Sequence, residues 1–119
     1  MASQRSQNII TAYGDGYVSV NAVRYTQSLI VLPDQLVLDW TPPSFAALTL
    51  ADFERLAALD AEVVLLGTGM AQRFPHPELL QPLMQARKGL EPMDLSAACR
   101  TYALLLNEGR QIAAALLFA

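Results

Sequence analysis

Histidine and cysteine are nearly absent from this sequence, which contains one of each, His76 and Cys99, among 119 residues. A single thiol can form neither an internal disulfide nor a two-thiol metal or redox pair, and this fits a reducing compartment. Because the pattern around Cys99 is apolar and helical, we interpret it as a small buried hydrophobe, with a reactive or intermolecular thiol as the alternative. His76 lies between two prolines without a nucleophile or Cys partner nearby, so we expect a surface or N-cap residue. We therefore expect no metal site and no cofactor.

Charged residues are also scarce, at 16% of the chain with a formal net charge of -3. The lysines and arginines are scattered singly and form no basic stripe of the kind that phosphate-backbone binding requires. We therefore expect no nucleic-acid partner. Hydrophobic residues make up 53% of the chain, which predicts exposed apolar patches that contact protein partners or other copies in a homo-oligomer.

Long apolar runs are missing, since the longest, residues 112–119, falls well short of the roughly 18 residues of a membrane-spanning helix. The first residues, MASQRSQN, are polar and lack the apolar core of a signal peptide. We expect a cytoplasmic protein without an integral membrane segment.

The chain contains no internal repeat, low-complexity block or linker, which predicts one domain over residues 8–119 after a flexible N-terminus at 1–7. The first 40 residues indicate antiparallel β structure, with a hairpin turn in YGDGY at 13–17 and strands in YVSV, SLIVLP and LVLDW. Thr49 and Asp52 form the pattern of a capping box that opens a helix ending near Leu59.

The second half alternates strands and helices. Strands are predicted in VVLL, LEPM and QIAAALLF, although the short link before the last one leaves its direction open. Two helices separate them, one kinked at Pro82 and one capped by Asp94. The order predicts an α/β domain with one mixed central sheet, helices against it and a β-rich N-terminal layer. The expected inner faces are Leu79, Leu80, Leu83 and Met84 for the first helix, and Ala97, Ala98, Thr101, Leu104 and Leu105 for the second.

Gly67-Thr68-Gly69 follows the VVLL strand and raises the question of a phosphate loop. Its spacing matches neither a Walker loop nor a dinucleotide loop, so a tight turn is the favoured interpretation over a nucleotide loop. If the VVLL and LEPM strands are parallel neighbours, however, their carboxyl ends meet at one sheet edge, where α/β proteins bind ligands. The candidate ligand-binding residues at that edge are Gly67, Thr68, Gly69, Asp94, Ser96 and Arg100, with Met70 close by.

An arginine could supply the cation for a carboxylate or phosphate at this edge, the candidates being Arg73, Arg100 and Arg110. In the alternative interpretation, Asp94 and Ser96 only cap the helix, while the arginines are solvated or pair with Glu91 and Glu108. Glu91 and Asp94 are too loosely related in predicted structure to define an acid–base pair. These residues therefore define no catalytic set and indicate no enzyme class.

Several segments together resemble a known family. They are LLGTG, LEPMD, SAACRTYALLLNEGRQIAAALL, YGDGY and SLIVLPDQLVLDW, which together span most of the chain. They are similar to the Mth938-like family of uncharacterised small proteins, which includes a mitochondrial assembly factor of respiratory complex I. The resemblance implies a compact three-layer α/β fold and brings no agreed activity or cofactor. Ser96 replaces the family's usual Thr and keeps its hydroxyl, whereas Ala103 replaces an Asn and removes any role of that amide here.

Three functional hypotheses follow. The leading one is a non-enzymatic interaction protein, an assembly-factor-like domain whose partners include respiratory complex components. The alternative is a small-molecule or anion-binding protein, or an enzyme, that uses the crevice after the Leu66 and Met93 strands. The third is a structural protein that contacts only itself.

Overall fold

The computed structural model describes residues 7–119, so the predicted flexible N-terminus lies almost entirely outside the described residues, and the domain bounds 8–119 stay a prediction. Eight strands and three α-helices follow one another in this part of the chain. The strands are β1 (Ile10–Gly14), β2 (Tyr17–Val20), β3 (Val23–Tyr25), β4 (Leu29–Leu32), β5 (Gln35–Val37), β6 (Val63–Thr68), β7 (Gly89–Met93) and β8 (Ile112–Leu117). The helices are α1 (Leu50–Ala57), α2 (Gln81–Gln85), preceded by a 3₁₀ turn at Pro77–Leu80, and α3 (Leu95–Asn107).

Five strands form the central sheet in the order β5-β4-β8-β6-β7. β6 runs parallel to both β7 and β8, whereas β4 runs antiparallel to β5 and β8. The predicted mixed sheet is therefore confirmed, and the VVLL and LEPM strands are parallel neighbours, which is the condition for the candidate ligand edge. β8 occupies the centre of the sheet, and all six of its residues are buried.

Alternating side chains of the central sheet pack into two separate hydrophobic clusters, one on each face. On one face, Leu66 and Ala115 pack with Phe53 of α1 and Leu83 of α2. On the other face, Leu65 and Ala114 pack with α3 and with the antiparallel three-stranded sheet β1-β2-β3. These layers confirm the predicted three-layer α/β fold with a β-rich N-terminal layer.

Helix α1 begins as predicted, because Thr49 and Asp52 make both hydrogen bonds of a capping box. It ends at Ala57, two residues before the predicted Leu59. The predicted strand LVLDW is shorter, because β5 ends at Val37 and Trp40 instead buries its ring against the α1 layer.

Two predicted inner faces need correction. Met84 is 70% exposed, because α2 spans only five residues after the 3₁₀ turn and buries Leu83 alone. Leu104 is 58% exposed, because α3 turns Leu95, Ala98, Cys99 and Tyr102 toward the sheet. Apolar residues lie around most of the surface of α3, so their spacing is compatible with two different buried faces. Packing against the sheet determines which of these faces is buried.

Candidate functional site

The predicted ligand edge forms one wall of a cleft with a volume of about 280 Å³. The opposite wall is the turn between β1 and β2, which belongs to the three-stranded sheet. We call this depression the hairpin cleft; it is lined by Tyr13, Gly14, Asp15, Gly69, Met70, Asp94, Leu95, Ser96 and Arg100.

Four of the six predicted site residues line the hairpin cleft, namely Gly69, Asp94, Ser96 and Arg100. The parallel pairing of β6 and β7 brings them together, because it places the loop after Thr68 beside the start of α3. Gly67 and Thr68 do not line the cleft.

Gly67 is a packing residue. Its position lies between β8 and α3, where a Cβ would come within 2.9 Å of Leu116 Cδ2 and 3.3 Å of Ala98 Cβ. The absence of a side chain therefore lets α3 pack closely on β6.

Thr68 organises the loop that follows it. Its buried hydroxyl donates to the Ala71 carbonyl at 2.6 Å, lies 3.3 Å from the Met93 carbonyl and accepts the Arg73 backbone N–H at 3.1 Å. Gly69 adopts φ +89°, and its carbonyl accepts the Leu95 N–H at 2.7 Å. The glycine–threonine motif thus forms a tight turn that connects β6 to α3 through hydrogen bonds.

Asp94 is the N-cap of α3, and its carboxylate accepts the Ala97 N–H at 2.8 Å. Ser96 accepts a hydrogen bond from the Arg100 guanidinium one turn further along the helix. The capping role that the alternative interpretation assigned to Asp94 is therefore present, and its carboxylate also forms part of the cleft wall.

Arg100 pairs with no carboxylate in the described part of the chain. The ion pairs found among residues 7–119 join Arg55 to Asp39 and Arg110 to Glu62. The alternative pairing of the candidate arginines with Glu91 or Glu108 is therefore not found among these residues. Because Asp15 and Asp94 line the cleft with Arg100, its charged side chains carry more negative than positive charge.

The contribution of the β1–β2 turn was missed by sequence reasoning, which used Tyr13–Tyr17 only as a turn signal. Tyr13 and Asp15 come from the other end of the chain, and no local pattern links them to Arg100.

Behind Arg100, α3 buries Cys99 and Tyr102 completely or nearly so. Burial raises the pKa of the Cys99 thiol to about 12, although the charge of Arg100 opposes the shift. Burial and the nearby Asp34 likewise raise the pKa of Tyr102, whose hydroxyl donates to the Asn8 carbonyl at 2.8 Å. Cys99 thus has the properties of a protonated core residue and not those of a thiolate nucleophile.

Other predicted features lie away from the hairpin cleft. His76 is exposed and makes no side-chain capping bond at the start of the 3₁₀ turn. Ala103, at the position where the family usually has Asn, is exposed and does not line the cleft. Within residues 7–119, no group of three or more His, Cys, Asp or Glu side chains is arranged to hold a metal ion. None of the helices in this region has both the length and the apolar character needed to cross a membrane.

The fold and the cleft define a small three-layer α/β domain. Residues 10–117 match the family model described as protein of unknown function (DUF498/DUF598). The chain belongs to this family, whose structurally characterised relatives include the Mth938-like domains, and the resemblance noted from the sequence is confirmed.

Three known proteins illustrate the relationship. A crystal structure of a Bordetella parapertussis protein is 38% identical and superimposes with a TM-score of 0.90, covering 98% of this chain and 100% of the other. The solution structure of a Bordetella pertussis Mth938-like domain is 33% identical, with a TM-score of 0.83, and the match covers 98% of this chain and 89% of that one. The Mus musculus NADH dehydrogenase [ubiquinone] 1 alpha subcomplex assembly factor 3 is 31% identical over 110 residues, or 91% of this chain. This chain spans only 59% of the mouse protein's length.

Proposed function

We propose that this protein is a non-enzymatic interaction domain that helps to assemble a larger complex, with components of respiratory NADH dehydrogenase as its partners. The similarity to the mouse assembly factor over 91% of the chain carries this proposal. The exposed apolar side chains support it, since Met70 and Phe74 are each 71% exposed within one short loop. Apolar side chains on a folded surface are typical of protein contacts.

Affinity capture from the native cell tests the proposal. The full chain, carrying a tag, is expected to retain subunits of NADH dehydrogenase reproducibly, in comparison with an untagged control. Deletion of the gene is expected to reduce the amount of assembled NADH dehydrogenase on a native gel. The proposal fails if capture recovers no reproducible partner and the deletion leaves the assembled complex unchanged.

The cytoplasmic location and the homo-oligomer expected from the sequence are part of the same proposal. Cell fractionation followed by immunoblotting tests the location, and a signal in the membrane fraction alone would contradict it. Light scattering tests the oligomer, which a constant monomer mass at high protein concentration would exclude.

The second candidate function is binding of a small molecule in the hairpin cleft. Its support is the convergence of Gly69, Asp94, Ser96 and Arg100 on one depression, with an arginine that has no carboxylate partner within residues 7–119. Because Asp15 and Asp94 also line the cleft, a neutral or zwitterionic ligand fits its charges better than a phosphate does.

A thermal-shift screen separates this candidate from the first. A ligand present at about 100 times its dissociation constant stabilises the folded protein by roughly 2.7 kcal/mol, which is a measurable shift in Tm. Amino acids and other zwitterions are expected to act more strongly than phosphates, nucleotides or simple carboxylates. Arg100→Ala and Asp15→Asn should each reduce the shift, and an unchanged shift in both variants would exclude the cleft as the site.

A further inference from the structure

A second depression lies on the other side of the loop that follows β6, and all of its charged or titratable side chains are of the basic type. It has a volume of about 400 Å³ and lies between the segment before α1 and the segment before the 3₁₀ turn. We call it the basic groove; its apolar wall is formed by Phe45, Leu48, Pro75 and Leu79, and its polar side chains are those of Arg73 and His76.

The charges of the basic groove differ from those of the two other charged clefts described. The hairpin cleft contains Asp15 and Asp94, and the cleft beside α1 contains Asp39 and Asp52. Among residues 7–119, no Asp or Glu lines the basic groove, although the chain as a whole carries a net charge of -3. A positively charged apolar depression on an acidic protein is a distinct recognition surface.

The apolar wall, which forms the floor of the groove, is fixed in place. Phe45, Leu48 and Leu79 are partly buried and pack against the hydrophobic cluster beneath α1 and α2. The Phe45 N–H also donates to the Ala119 carbonyl at 2.7 Å. A rigid apolar floor loses little conformational freedom when a partner binds.

Arg73 is held at the groove but keeps its charge available. Its backbone N–H donates to the Thr68 hydroxyl, and its guanidinium lies 5.9 Å from the centre of the Phe45 ring. Arg73 belongs to neither ion pair found among the described residues. Next to it, Phe74 is 71% exposed and extends the apolar surface beyond the groove.

We infer that the basic groove is the docking site for an acidic segment of a partner protein, which places an apolar side chain on the Phe45 floor and a carboxylate beside Arg73. This inference deepens the proposed function and rests on it. Charge complementarity selects the occupant, because an acidic segment is attracted to the groove while the net charge of the chain repels it elsewhere. The same net charge works against an anionic membrane surface as the occupant.

Charge reversal tests the inference on the full-length protein. Arg73→Glu is expected to weaken capture of the partner about tenfold or more, as the loss of a close charge pair and a new repulsion would do. Arg24→Glu makes the same change of charge on the three-stranded sheet, across the central sheet from the groove, and should leave capture within about twofold. Ala46, an exposed groove residue, provides a second pair: Ala46→Glu should reduce capture, and Ala46→Lys should retain it.

The outcomes separate this inference from the proposed function. If the wild-type protein captures no reproducible partner, the proposed function fails, and the inference fails with it. If the partner is captured equally by the Arg73→Glu and Arg24→Glu proteins, with unchanged Tm values for both, only the groove is excluded. A photo-crosslinking residue at position 46 identifies the occupant directly: a peptide containing Asp or Glu beside an apolar residue supports the inference, whereas a lipid adduct or a basic peptide overturns it.

Discussion

The hydroxyl group of Thr68 holds the loop that contributes residues to both the hairpin cleft and the basic groove. The loop it holds provides Gly69 and Met70 to the cleft and Arg73 to the groove. Thr68 was a predicted ligand residue, but its buried position gives it an internal task, which is to fix the course of this loop.

Thr68→Val is therefore expected to destabilise the protein by about 1 kcal/mol, because the side chain keeps its volume but loses the hydrogen bonds to Ala71 and Arg73. Urea denaturation measures the change in the free energy of unfolding. Thr68→Ser keeps the hydroxyl and should preserve those hydrogen bonds, losing only the contacts of one methyl group. Equal amide exchange of the loop residues in the Val and Ser variants would contradict the role assigned to the hydroxyl.

Cys99 and Tyr102 predict a loss of stability at alkaline pH. Both groups have a raised pKa in the folded protein, that of Cys99 rising from 9.0 to about 12, mainly because of burial. The neutral forms are therefore favoured by folding, and their contribution is complete below the unfolded-state pKa values. As the pH rises above the unfolded-state pKa of each group, 9.0 for Cys99 and 10.0 for Tyr102, the unfolded chain loses that proton first. The free energy of unfolding then falls by up to about 1.4 kcal/mol per pH unit for each group.

Denaturant titrations between pH 7 and pH 11 check this slope. Cys99→Ala removes one titrating group, and Tyr102→Phe removes the other together with its hydrogen bond to Asn8. Each variant is less stable at pH 7 but should show a shallower decline at alkaline pH. A variant that carries both substitutions should show the shallowest decline. If the stability of the wild-type protein falls with pH no more steeply than that of this double variant, the burial argument is contradicted.

The packing of α3 on β6 depends on the absence of a side chain at Gly67. Gly67→Ala is expected to cost about 1–3 kcal/mol, since the added Cβ meets Leu116 and Ala98 in a filled core. Gly89→Ala is the matched control, because a Cβ there meets no atom within 4 Å. Chemical denaturation should separate the two variants clearly. Equal stability would show that α3 shifts without strain and that Gly67 is not required for packing.

The turn between β2 and β3 contains a strained residue, Ala22, which has φ +68° after Asn21 at φ +52°. Two consecutive positive φ values are typical of a type I′ turn, where glycine is favoured at the second position. Ala22→Gly removes a steric cost of about 1–2 kcal/mol and adds chain entropy to the unfolded state, so we expect a net gain of up to about 1 kcal/mol. Thermal unfolding tests this, and a lower Tm than wild type would contradict it.

These elements also show how far sequence reasoning extends. Strand and cap signals correctly predicted the YGDGY hairpin, the capping box at Thr49 and the N-cap at Asp94, because each depends on residues within a few positions. The direction of β8 could not be predicted from the sequence, because the link between α3 and β8 is very short. Gly109, at φ +75°, lies in this link, and the sequence around it is compatible with a parallel or an antiparallel last strand. The hairpin side of the cleft could not be predicted, because the position of the β1–β2 turn opposite the start of α3 depends on how two layers pack.

Stability is expected to be unevenly distributed between the two sheets of the molecule. β8 is central and fully buried, and it pairs with β4 on one side and β6 on the other. The three-stranded sheet ends at β3, where no residue is fully buried and Val23 is 53% exposed. Segments with fewer buried contacts open at a lower free energy than the global unfolding reaction requires.

Native-state hydrogen exchange is the measurement that tests this distribution. Amides of β8 and β6 are expected to exchange only through global unfolding, at the free energy obtained from denaturation. Amides of β3 should exchange at a free energy lower by several kcal/mol. If β3 and β8 instead exchange at the same free energy, the two sheets open as one cooperative unit, and the hairpin wall of the cleft is as rigid as the central sheet. If β3 exchanges at the lower free energy, the edge of the three-stranded sheet opens without the central sheet, on whose opposite face the basic groove is packed.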